Sequence, residues 1–250
     1  MENKMESSLP LHPRTLLALE SSTILGGAAL LEDGVVVDEI TLDAGLRHGR
    51  DLMPAAAELL RRRNLKPGDV TAVGVSFGPG SYTGIRIGVM AAKAFAYAAE
   101  CRLLAVSSLA ALAETFSASN ACRPGTRIAV LQDARRDEVY AGLYRVDPDG
   151  VTPLTADAAV APEEAARMYA ELSRTAEGCL AAGTGFVTYA QLFGALGNDP
   201  GGALHPRAGA TARLGWRHFL REDFTDPLVL QPLYLRRDAG ADWSRDVLIS

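Results

Sequence analysis

One order of elements, strand, strand, strand, helix, strand, runs through this chain twice, and that duplication limits the possible folds more than any other feature. In the first run TLLALESST, GGAALLEDG and VVVDEITLD read as three strands of a meander, aliphatic or β-branched and closed by turns. Leu52, Ala56, Leu59 and Leu60 in RDLMPAAAELLRRRN then recur at helical spacing, with arginines in the last turn. A strand over 70–77, a helix over 85–99, a strand over 102–106 and a helix after Ser107 and Ser108 complete the half. The second run begins with RIAVLQDAR, EVYAGLYRV, a DPDG turn and VTPLTAD. PEEAARMYAEL follows as a helix, with Pro162 and two glutamates in its first turn, and CLAAG as the next strand. Pro124 and Gly125 mark the joint.

Two such halves, each a mixed sheet with helices, predict an α/β fold of the actin-like or sugar-kinase-like type. At 250 residues and 48% hydrophobic content the chain has material for two lobes. The expected division is a disordered extension over 1–14, a first lobe over 15–123, a second, divergent lobe over 124–237 and a tail over 238–250. A ligand cleft is expected between the lobes, so the acids ending each first strand, Glu20 and Asp133, are its candidate residues. Their functional reading is magnesium or phosphate chemistry, and the alternative is capping and surface pairing.

The segment SFGPGSYTGIRIG joins a strand to a helix through four glycines and a proline. Helix N-termini behind glycine loops bind anions, so the segment invites a phosphate reading. It lacks the G-K-[ST] ending of a P-loop, and Gly78, Gly80 and Gly84 give G-x-G-x-x-x-G in place of the dinucleotide fingerprint. Ser81 lies outside any G-x-S-x-G elbow, which makes it a helix cap and not a nucleophile. His12, His48, His205 and His218 are scattered, without H-E-x-x-H or H-x-x-x-H spacing, so no metal site is expected, and His48 is expected to cap a helix or face solvent. Cys101, Cys122 and Cys179 have no C-x-x-C spacing and fit a reduced cytoplasm. A net charge of −5 argues against strong independent binding of nucleic acid. No run is apolar and long enough for a bilayer span, and no membrane partner is expected.

Taken in order, LALESST, FGPGSYTGIRIGVMAAKAFAYA, VSSLAALAE, DARRDEVYAGLY and QPLYLRR resemble the bacterial TsaB (YeaZ) family over most of 16–237. The resemblance implies an actin-like (ASKHA) fold with duplicated ribonuclease-H-like halves. It implies a non-catalytic subunit for making N6-threonylcarbamoyladenosine in tRNA, paired with a TsaD-like catalytic paralogue and joined by a TsaE-like ATPase. No catalytic residue is expected in this chain, and contact with tRNA is expected only through the complex. No cofactor is expected on the chain alone, with ATP and a metal entering only in the assembly. The competing readings are an independent actin-fold ATPase or phosphotransferase and a glycoprotease-like peptidase.

Partner binding is expected on the two long helices of the first half, at Leu52, Met53, Ala56, Leu60, Ile85, Gly88, Val89, Ala92 and Phe95, with a homodimer forming there when the partner is absent. A degenerate nucleotide cleft is expected at Glu20, Ser21, Asp133, Gly183 and Gly185. Glu20 stands where the family more often has aspartate, and Thr184 where an acidic residue is frequent. Arg135, Arg136, Arg236 and Arg237 are open between tRNA, a partner and solvent.

Overall fold

The computed structural model describes residues 13–42, 48–175, 179–193 and 203–235. The tail over 238–250, Arg236 and Arg237, and the extension up to residue 12 lie outside the described residues. Arg14, placed by sequence in the extension, belongs to the first lobe: its N–H donates to Asp33 Oδ1 at 3.0 Å, and the Asp33 N–H donates back to the Arg14 carbonyl at 3.1 Å.

The first sheet holds β1 (Thr15–Glu20), β2 (Gly26–Glu32), β3 (Val35–Leu42), β4 (Ala72–Gly78) and β5 (Arg102–Ser107), in the order β3-β2-β1-β4-β5. β1 is antiparallel to β2 and parallel to β4, which is parallel to β5. The second sheet holds β6 (Arg127–Arg135), β7 (Glu138–Asp147), β8 (Gly150–Pro153), β9 (Ala158–Val160) and β10 (Cys179–Ala182). Its order is β10-β6-β7-β8, with β9 also on β7. β6 takes the place of β1, β7 of β2, β8 of β3 and β10 of β4, so the duplicated plan is present; among the described residues no strand stands in the place of β5.

Strand periodicity decides which helices cover the sheets. In β1 every residue is buried, which requires cover on both faces. Leu17 and Leu19 point toward α1 (His48–Arg62) and α2 (Tyr82–Ala99), packing among Leu52, Ala56, Leu59, Val89 and Ala92. Leu16 and Ala18 point the other way, onto Ala208 and Ala212 of α6 (Ala208–Leu220). Small residues let α6 lie close to the strands: a Cβ at Gly74 of β4 would be only 3.9 Å from the Thr211 carbonyl.

The division at 123/124 separates the sheets but not their helices. α3 (Ser108–Ser119) follows β5, yet Leu109, Leu112 and Phe116 pack with Ile128, Val130, Tyr144 and Val146 of the second sheet. α6 follows the second sheet and covers the first. The two crossed helices meet in the middle, where Arg213 pairs with Glu114 at 2.9 Å and the Arg207 N–H donates to Thr115 Oγ1 at 3.0 Å. α4 (Pro162–Thr175) and the short α5 (Thr184–Thr188) cover the outer face of the second sheet through Ala165, Tyr169 and Phe186. The result is five layers, helix, sheet, helix, sheet, helix, with the α3–α6 layer shared.

After α6 the chain runs back along the open edge of the first sheet. The Thr225 N–H donates to the Leu103 carbonyl at 2.9 Å, and the Leu233 N–H to the Phe77 carbonyl at 2.8 Å. Tyr234 then stacks on Tyr82, with ring centroids 4.9 Å apart.

Candidate functional site

The glycine segment is a clasp between α2 and the end of β1. Ser81 caps α2, its Oγ accepting from the Gly84 N–H at 3.3 Å, and its own N–H donates to the Ser22 carbonyl at 2.7 Å. Ser21 Oγ donates to the Gly84 carbonyl at 2.8 Å. Cβ atoms on Gly80 and Gly84 would overlap the Ser22 and Ser21 carbonyl oxygens, so only glycine lets the two backbones approach this closely. Of the loop amides, the Ser81 N–H is taken by the Ser22 carbonyl and the Gly84 N–H by Ser81 Oγ, so neither is free for a phosphate.

Glu20 sits inside the same junction. It is fully buried and accepts from the Ser22 N–H at 2.7 Å, Ser22 Oγ at 2.6 Å, Ser76 Oγ, and Thr211 Oγ1 at 3.2 Å. Those donors come from the β1–β2 turn, β4 and α6, so the carboxylate ties three parts of the first lobe together. With four donors on two oxygens it has no open coordination position for a metal. Glu20 and the buried Ser21 therefore do not line an open cleft, contrary to the sequence expectation, because α6 arrives over the end of β1 and closes it.

Asp133, Gly183 and Gly185 form a separate cluster at the end of β6. Asp133 is half-buried; its N–H donates to Thr184 Oγ1 at 3.1 Å, and its Oδ1 accepts from the Arg135 N–H at 2.7 Å. Gly183, with φ at +107°, packs where a Cβ would overlap the Leu131 carbonyl oxygen, and a Cβ on Gly185 would stand 3.0 Å from the same oxygen. AAGTG is thus the turn that presses α5 onto β6. None of the five cleft residues lines the surface depression of about 320 Å³ beside α6 or that of about 300 Å³ beside α3.

His48, expected as a cap or solvent residue, is buried, with Nε2 3.0 Å from the Thr23 carbonyl oxygen. His218 lies 2.6 Å from Asp223 Oδ2. Among the described residues no three of His, Cys, Asp and Glu gather as a metal set.

The expected partner residues need correction. Leu52, Ala56, Leu60, Ile85, Gly88, Val89, Ala92 and Phe95 are all buried in the chain's own structure, and of the nine only Met53 is exposed, at 38%. The strongest apolar stripe of each helix faces the sheet, as burial of the largest apolar area requires. A second, weaker stripe faces outward: Gly49, Met53, Pro54 and Ala57 on α1, and Met90, Ala94, Tyr97 and Ala98 on α2. Half-buried Ile87 and Ala91 lie on the same helix, and a Cβ on Gly49 would stand 3.5 Å from Ile87 Cδ1. Met90 is 62% and Tyr97 88% exposed. Of this face sequence reasoning had only Met53, because it took the strongest apolar stripes, with the small residues Gly88 and Ala92, as the partner surface, and those face the sheet. The usable signal was the absence of charge at 90, 94, 97 and 98, where an outward helix face ordinarily carries Lys or Glu.

These features define a class: an actin-like α/β protein of two duplicated halves, with the first-strand acid of its first lobe taken up in internal hydrogen bonds and an exposed apolar patch on α1 and α2. Residues 40–192 match the family model described as TsaD: tRNA N6-adenosine threonylcarbamoyltransferase. The chain belongs to this family, on its TsaB (YeaZ) branch. It is 40% identical over 131 residues to the tRNA threonylcarbamoyladenosine biosynthesis protein TsaB of Bacillus subtilis, covering 52% of this chain and 55%, about half, of that protein. The Haemophilus influenzae protein of the same name is 27% identical over 238 residues, covering 90% of this chain and 94% of its own length. The solved structure of YeaZ from Pseudomonas aeruginosa superimposes with a TM-score of 0.75 at 28% identity, covering 89% of this chain and 100% of that one. Among the described residues no helix is long and apolar enough to cross a membrane.

Proposed function

We propose that the chain is a non-catalytic assembly and activating subunit in the cytoplasmic modification of tRNA to N6-threonylcarbamoyladenosine. In this reading it holds a TsaD-like catalytic paralogue on the outward face of α1 and α2, and with that paralogue a TsaE-like ATPase. The observation that carries the reading is that face itself, where exposed Met53, Met90 and Tyr97 stand among Pro54, Ala57, Ala94 and Ala98. Small residues let a second helix pair approach within the 8–10 Å of ordinary helix packing, and methionines adapt to its surface. The stretch that matches the TsaD model includes both helices, which supports a related chain as the occupant. A second copy of this chain is the expected occupant when the paralogue is absent.

The same reading assigns ATP and a metal to the assembled complex only, because the Glu20 carboxylate is saturated by its four internal donors. tRNA is reached through the complex, in keeping with the net charge of −5.

Ala94→Arg tests the proposal. Ala94 is exposed on α2, so the variant should fold as the parent does while a long cation blocks close helix approach. Affinity for the paralogue, measured by titration calorimetry, should fall by at least about 2 kcal/mol, roughly thirtyfold. Parental affinity in the folded variant, or robust turnover by the isolated chain, would refute the reading.

A further inference from the structure

Of the ring pairs among the described residues, one has both rings in solvent: Tyr82 and Tyr234 are 59% and 46% exposed, with centroids 4.9 Å apart and planes tilted by 30°. The pairs Phe186–Phe193, Trp216–Phe219 and Phe219–Phe224 are buried or half-buried, as aromatic contacts that serve the fold ordinarily are. Arg86, one turn along α2, completes the cluster. Its guanidinium carbon lies 5.2 Å from the centre of the Tyr82 ring, and Nη1 donates to the Tyr82 hydroxyl at 2.8 Å. The segment that carries Tyr234 is anchored without the stack, by the Leu233 N–H on the Phe77 carbonyl and by Lys93 Nζ on the Leu230 carbonyl at 3.1 Å.

The surroundings of this cluster are cationic and free of acid. Three segments meet there: residues 21–25 after β1, residues 76–99 from β4 through α2, and residues 230–235. Together they hold Arg86 and Lys93 and no aspartate or glutamate, in a chain of net charge −5. Glu20, just before the first of them, is fully buried and bonded internally. The ionisable groups that act on the Tyr234 hydroxyl are Arg86 and Tyr82, with no carboxylate among them. α1, by contrast, mixes Asp51 and Glu58 with Arg50, Arg61 and Arg62.

We infer that Tyr82, Tyr234 and Arg86 form a stacking platform for an unpaired base of RNA, with the neighbouring phosphate on the Arg86 guanidinium. Single-stranded RNA is held by exposed aromatic rings and guanidinium planes on which its bases stack, beside cations that meet its backbone. The acid-free surround is the complement of a polyanion. One platform of this size does not bind RNA tightly by itself, which agrees with the net charge of −5; it adds this chain's grip to an RNA already held by the complex.

The inference rests on the proposed role in tRNA modification, and its probe is an unmodified tRNA transcript, titrated by fluorescence anisotropy into the complex of the chain with the TsaD-like paralogue. With Tyr82→Ala/Tyr234→Ala the complex should bind the transcript at least about tenfold more weakly, with an unchanged salt dependence. Tyr82→Phe/Tyr234→Phe keeps the rings and should bind within about twofold of the parent. Arg86→Gln should weaken binding and make the slope of log affinity against log salt shallower by about 0.7, the loss of one phosphate contact on a single strand. A fully paired RNA duplex, which offers no free base, should not distinguish the alanine variant from the parent. Parental tRNA affinity of the alanine variant overturns the inference, as does a phenylalanine variant as weak as the alanine one. Weakened binding of either tyrosine variant to the paralogue itself overturns it in favour of a protein contact. Should the alanine variant fail to fold, an unchanged salt slope in Arg86→Gln overturns it alone. A parent complex that forms but binds no tRNA overturns this inference and leaves the assembly standing, whereas a chain that does not bind the paralogue overturns both.

Discussion

Replacing Glu20 separates a structural acid from a catalytic one. Its carboxylate is fully buried and takes hydrogen bonds from Ser22, Ser76 and Thr211. In Glu20→Ala, Ser76 and Thr211 keep each other at 3.0 Å, but the Ser22 N–H and hydroxyl are left in a dry site. Two stranded donors cost about 1–3 kcal/mol each, so the variant should lose about 2–6 kcal/mol. That is a large share of the roughly 5–15 kcal/mol that holds a domain folded. In Glu20→Gln the amide oxygen still accepts from Ser22, and the amide nitrogen donates to hydroxyls that can rotate to accept, so the loss should be about 1 kcal/mol. Guanidinium unfolding of the isolated chain, followed by circular dichroism, measures both. Two variants within about 0.5 kcal/mol of the parent, or a glutamine as damaging as the alanine, would refute the buried network as the role of this acid.

Ala92, unlike Ala94, is fully buried between α2 and the first sheet, so Ala92→Arg should lower stability by at least about 3 kcal/mol in the same unfolding assay; a folded variant of parental stability would mean that this helix face is free. Asp157 accepts from Ser107 Oγ and Tyr144 OH, both at 2.5 Å, and burial raises its pKa above the usual 3.8 despite those bonds. A raised pKa means that the folded chain holds the proton more tightly, so this contribution is full below the unfolded pKa and is lost as pH rises through the folded one. The stability of the parent relative to Asp157→Asn should therefore grow as pH falls toward 4, and a pH-independent difference in unfolding midpoints would contradict it.

The duplicated strand order, the Ser81 cap and the turn character of SFGPGSYTGIRIG were legible in the sequence, because each depends on periodicity or local backbone chemistry. The TsaB-like motifs were legible too, although why they occur together was not: QPLYLRR matters to the glycine loop because Leu233 bonds to Phe77 and Tyr234 stacks on Tyr82, across more than 150 residues. Glu20 and Asp133 were correctly placed at the ends of equivalent strands, but strand position says nothing about what lies over a carboxylate.

Tertiary packing decided that. α6 closes over Glu20, and α3 crosses to the second sheet, because each inner sheet face must be buried and the covering helix need not be the next in the chain. The same competition turned Leu52, Val89 and Ala92 inward and left Met53, Ala94 and Tyr97 outside. Sequence determined that α1 and α2 are amphipathic helices on a duplicated α/β frame. Which stripe met the sheet was decided by the apolar area that each could bury against it, a comparison that exists only once sheet and helix are in contact.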